Sequence, residues 1–136
     1  MTLTDVVLAV LALIGLLLSL YFTGVTYRRI PAEPRWLPRV CRMDERTCAA
    51  IVDTREARVL GLPNSVLGLA WYAVLLASTL GAPVPRLALL AGALAAAALS
   101  VWLAWALVVR LRVACVLCFV GHAVNAAVLV LVLARS

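Results

Sequence analysis

From Val6 to Val25 the chain carries no charged side chain. A stretch of about 20 apolar residues is what one helix needs to cross the hydrocarbon of a bilayer. Within lipid such a stretch must satisfy its own backbone hydrogen bonds, and a helix does so. The pattern recurs, giving four expected spans at about residues 6–27, 64–80, 87–109 and 113–134. Composition agrees: 66% of residues are hydrophobic and 13% charged, against about 45–50% and about 25% in soluble domains. So large an apolar excess excludes a soluble domain, a disordered chain and a collagen-like chain. The net charge of +6 comes entirely from arginine, since the chain has neither Lys nor Gln and just two Asn. In a membrane protein such charges mark loops and topology, so nucleic acid is not an expected partner. Few amides fit a thermophile or a GC-rich genome.

The first span has Asp5 ahead of it and Arg28 and Arg29 behind it, with no small-residue cleavage site. It therefore reads as a retained span rather than a signal peptide. Residues 28–63 form the one long polar segment. Pro31, Pro34 and Pro38 make its first third non-helical. From Cys48 to Leu60 a short surface helix is expected, with Cys48, Ile51, Val52 and Val59 on one side and Asp53, Thr54, Glu56 and Arg58 elsewhere. Gly81 to Arg86 reads as a tight turn. Small residues between Ala91 and Ala98 let the third span pack closely. The expected architecture is one all-α membrane domain over residues 1–136. It is a four-helix bundle with both termini on one side, and the long loop and the Arg110–Arg112 turn on the other.

That arrangement brings together four cysteines. Cys41 and Cys48 sit in the long loop, and Cys115 and Cys118 open the fourth span as a C-x-x-C. At a helix start the first thiol of such a motif meets unpaired N–H groups and the positive end of the dipole, which favours the reactive thiolate. Arg110 and Arg112 add positive charge. Two other readings stay open. The four cysteines, or three with His122, could bind zinc, although the C-x6-C spacing is loose and a spanning helix is an unusual host. Alternatively, Cys41 and Cys48 could form a structural disulfide beside an inert second pair.

The order of these features resembles the vitamin K epoxide reductase (VKOR) family, in its prokaryotic disulfide-forming branch. The features are a span, a loop with Cys41 and Cys48, Gly61-Leu-Pro-Asn-Ser-Val-Leu-Gly68 opening the second span, and Cys115/Cys118 opening the fourth. Thr54, six residues after Cys48, resembles the family's Ser/Thr at that place. The resemblance implies a bundle around a quinone of the menaquinone or ubiquinone type. It implies a quinone-dependent thiol oxidase that takes electrons from a thioredoxin-like protein. Cys41 would meet the partner, Cys48 would exchange with Cys115, and Cys118 would stand next to the quinone, with Asn64 donating to a quinone oxygen. Where vertebrate members carry Tyr, this chain has His122, four residues after Cys118 and on the same helix face. His122 is a candidate for the second quinone oxygen or for moving a proton. That departure counts against vitamin K epoxide as the substrate. Thiol–disulfide exchange through mixed disulfides, ending on a lipid-soluble two-electron acceptor, fits the same residues. No Rossmann glycine pattern suggests a nucleotide cofactor. DsbB-type oxidases share four spans and four cysteines, but carry their C-x-x-C in the loop after the first span.

Orientation is where the charges and the resemblance part. The long loop holds Arg28, Arg29, Arg35, Arg39, Arg42, Arg46, Arg55 and Arg58, and Arg110 and Arg112 share its side; Arg86 and Arg135 lie opposite. The positive-inside rule then puts the cysteines on the cytoplasmic face. The resemblance puts them outside, where disulfides ordinarily form. The alternative to an enzyme is a non-catalytic membrane module with a Cys/His metal site or a structural disulfide.

Overall fold

The computed structural model describes residues 2–27, 58–59, 62–111 and 116–135. The protein is an all-α membrane protein apart from one minimal strand pair. Helix α1 spans Leu3–Thr26, α2 Asn64–Thr79, α3 Arg86–Trp105 and α4 Val116–Ala134, with a π-helical turn at Ala106–Leu111 extending α3.

Each boundary has a local cause. Helix α1 begins three residues before the expected span because Thr2 and Asp5 form a capping box. The Asp5 backbone N–H donates to Thr2 Oγ1 at 3.1 Å, and the Thr2 N–H donates to Asp5 Oδ2 at 3.0 Å. Two of the orphan donors at the helix start are thereby satisfied, and a carboxylate sits at the positive end of the dipole. Helices α2 and α3 each follow a proline, Pro63 and Pro85, whose missing N–H is no loss at a helix start. Between them Gly81 turns the chain at a φ of 100°, a left-handed conformation that costs glycine little.

The surface helix expected from Cys48 to Leu60 does not reach its expected end. Arg58–Val59 is extended and pairs antiparallel with Leu62–Pro63, Arg58 opposite Pro63 and Val59 opposite Leu62. The β-branched Val59 suits a strand better than a last helical turn. The rest of that expected helix, with Thr54, Cys41 and Cys48, lies outside the described residues, as does Cys115.

Among the described residues, three helices are long and apolar enough to cross a membrane: Leu3–Thr26, Arg86–Arg110 and Val116–Ala134. Helix α2 has 16 residues and is shorter, about 24 Å at 1.5 Å per residue against a hydrocarbon core of about 30 Å. Many apolar side chains point outward: Val101 is 72% exposed and Val130 64%. In water that would be an aggregating surface, whereas lipid covers it without penalty.

The core is correspondingly thin. It consists of Leu8 and Ala12 from α1, Tyr72 and Leu75 from α2, Leu89 and Ala93 from α3, and Val124, Val128 and Val132 from α4. Helix α1 packs along α2, and α3 along α4, with α1 also against α4. Helices α2 and α3 barely touch, although only a short turn joins them. Glycines set the closest approaches. The Tyr72 ring lies against Gly15, and the Trp71 ring against Gly92. At one end of the bundle Arg135 Nη2 stands 3.2 Å from Asp5 Oδ1 and ties α4 to the start of α1.

Candidate functional site

The loose junction of α2 and α3 leaves a cavity of about 520 Å³. All four helices line it, and its wall is mostly apolar. The small residues of α3 turn out to serve this space as well as packing: Gly92, Ala95, Ala96 and Ser100 form one side. The π-helical turn places Ala106 and Leu107 against the cavity as well, both buried. Such turns occur often at functional sites because they shift the register of a helix face.

The polar groups on the wall include three of the sequence-derived site candidates, joined by Trp71, Tyr72, Ser100 and Asn125. Cys118, in the first turn of α4, lines the cavity and is half-buried. His122, one turn further, lines it too, and its Nε2 is buried with no hydrogen-bond partner among the described residues. Asn64, the first residue of α2, lines it from the opposite hairpin. The structure thus brings Cys118, His122 and Asn64 to one cavity. Cys41, Cys48, Cys115 and Thr54 lie outside the described residues.

Asn125 was missed in the sequence reading, although a carboxamide inside a span is itself a signal. It falls seven residues after Cys118 and three after His122, so helical spacing places it on the same face. Its Oδ1 accepts from the Tyr72 hydroxyl, and its Nδ2 donates to Ser100 Oγ at 2.6 Å. Three helices are joined by this chain, which satisfies three polar side chains in a place without water. Trp71 also lines the cavity, and its indole Nε1 is buried without a partner among the described residues. Trp102 and Trp105 do not line it. They stack on each other with centroids 5.3 Å apart, half-exposed, and the Arg110 guanidinium stands 6.0 Å from the Trp102 ring. That group suits the membrane–water interface.

A quinone fits these residues on three counts. The cavity lies in the range of volumes that small-molecule sites occupy. Its wall is apolar, as a ring with an isoprenoid tail requires. Buried nitrogens of His122 and Trp71 stand without partners among the described residues, and a ligand with two carbonyl oxygens offers acceptors for such groups.

A membrane bundle with a cysteine in the first turn of a helix and an apolar cavity beside it fits membrane oxidoreductases that work on thiols and a lipid-soluble acceptor. The chain matches the model of the vitamin K epoxide reductase family over residues 6–133, nearly its whole length, and belongs to that family. Quinone-linked disulfide redox chemistry is the family's general activity. A comparison with curated proteins returned no match.

Proposed function

We propose that the protein is a quinone-dependent thiol oxidase that makes disulfide bonds, taking electrons from a thioredoxin-like protein. The observation that carries the reading is the shared cavity of Cys118, His122 and Asn64. In this reading α2 is the fourth membrane crossing. Cys41 meets the partner, and Cys48 exchanges with Cys115 by thiolate attack through a mixed disulfide. Thr54 supports the site from the loop. When Cys115 and Cys118 close to a disulfide they release two electrons and two protons. A menaquinone- or ubiquinone-type quinone, when bound, supplies the two-electron acceptor. Asn64 and His122 hold its ring by hydrogen bonds, and His122 holds or passes a proton at its imidazole. The apolar wall excludes water, which protects the disulfide-forming thiols from side reactions. By arginine count the cysteines face the cytoplasm. Labelling of Cys41 by an impermeant thiol reagent on intact cells would reverse that orientation.

The test is dithiol-driven quinone reduction by the purified protein in lipid. Cys115→Ala and Cys118→Ala each abolish it, while full activity in both variants overturns the proposal. Cys41→Ala impairs oxidation of a protein dithiol more than oxidation of a small membrane-permeable dithiol. The metal-binding alternative predicts about one zinc per purified chain, the content of a closed tetrahedral site.

A further inference from the structure

Gly15, Gly68, Gly81, Gly92 and Gly121 divide by what surrounds them. Gly15 and Gly92 lie under aromatic rings, and a Cβ on Gly68 would stand 2.5 Å from Ser19 Oγ. Gly81 turns the chain with a positive φ. Each has a steric or conformational reason to lack a side chain. Gly121 has none of these. It sits inside α4 with ordinary helical backbone, and among the described residues a Cβ there would meet nothing within 4 Å. Helix interiors favour Ala over Gly, and membrane helices use small residues to bring backbones together. Neither rule accounts for a glycine facing open space.

That space belongs to the cavity. Gly121 lines it between Cys118 and His122, three residues after the thiol and one before the imidazole. All three fall on the inward face of α4, together with Asn125. The bare backbone of Gly121 is therefore a flat patch beside the thiol and the imidazole. The hydrogen-bonding groups farther along this face are occupied by one another, since Tyr72, Asn125 and Ser100 form a closed chain. A ring that rests on this patch gains width without being offered new polar partners.

We propose that Gly121 is a specificity-determining residue, whose missing side chain seats the fused hydrocarbon ring of a 1,4-naphthoquinone. This deepens the quinone reading and rests on it. A benzoquinone lacks the second ring, so it loses less when the patch is filled.

The experiment uses the full-length protein in lipid, with a short-chain naphthoquinone and a short-chain benzoquinone as alternative acceptors and a dithiol as donor. Gly121→Ala leaves thermal stability unchanged or raised, because it favours the helix. It nevertheless raises the KM for the naphthoquinone. Gly121→Leu raises that KM by roughly tenfold or more, the scale of a small steric change in an apolar pocket, and raises the benzoquinone KM less. The Ala variant keeps the test intact if Leu impairs folding. Opposite movements of stability and naphthoquinone affinity support the proposal, since a merely structural glycine moves them together. If wild type reduces both quinones and neither variant shifts the KM ratio, the role of Gly121 is overturned while the quinone reading stands. If wild type reduces neither quinone, the quinone reading itself fails.

Discussion

The chain Tyr72–Asn125–Ser100 offers a measurable test of how the bundle is held together. The Tyr72 hydroxyl donates to Asn125 Oδ1, and Asn125 Nδ2 donates to Ser100 Oγ at 2.6 Å. Both bonds cross between helices. Hydrogen bonds between membrane helices average about 0.6 kcal/mol, with a maximum of about 1.7 kcal/mol, because the unfolded reference state also finds partners. Tyr72→Phe removes one bond and should cost about 0.6–1.7 kcal/mol. Asn125→Ala removes both and should cost about 1.2–3.4 kcal/mol by doubling that range. The two perturbations share the first bond, so they are not additive. A double-mutant cycle of Tyr72→Phe and Asn125→Ala should report a coupling of about 0.6–1.7 kcal/mol. Reversible unfolding in mixed micelles, followed by helicity and Trp fluorescence, gives the four stabilities. A coupling within the scatter of independent sites, about 0.3–0.5 kcal/mol, would refute the claim that these side chains form one interhelical chain.

Gly92→Leu should destabilise the fold by about 1–3 kcal/mol, the usual cost of overpacking, because the new side chain meets the Trp71 ring; in the same unfolding assay the penalty should shrink in a Trp71→Ala background. Asp5→Asn weakens both the capping box and the contact with Arg135, so the thermal midpoint should fall, and the fall should be smaller at high salt because the ion-pair part is screened. Ser100→Ala loses a single bond and should cost less than Asn125→Ala, a ranking that the same unfolding series checks.

The positions of the helices were legible because a span is written in consecutive residues. Arg28 and Arg29 stop the first run, and Pro63 and Asn64 open the second. The start of α1 was misplaced because Asp5 looks like a charge outside the membrane, whereas it is the third residue of a capping box with Thr2. The strand at Arg58–Val59 was hidden because a wheel of residues 48–60 weighs side-chain faces alone. The candidate site was partly legible. Cys118 and His122 could be paired by helical spacing alone, and Asn64 by resemblance. Asn125 could have been found by the same spacing. Its partners Tyr72 and Ser100, like the glycines beneath Trp71 and Tyr72, belong to other helices, and no local pattern encodes which residue of one helix meets which residue of another.

The sparse contact between α2 and α3 divides the molecule into two hairpins, α1 with α2 and α3 with α4. Each supplies one half of the cavity wall: Asn64, Trp71 and Tyr72 from the first, Cys118, Gly121, His122 and Asn125 from the second. A chain cut in the turn after Leu80 would then consist of two fragments, each carrying part of the cavity wall. What they rebuild on meeting is the binding chamber itself. A molecule lodged there touches both fragments and favours the paired state by mass action. A ligand bound there would in that sense be the keystone of the assembly, and its loss would be felt first at the seam rather than within either hairpin.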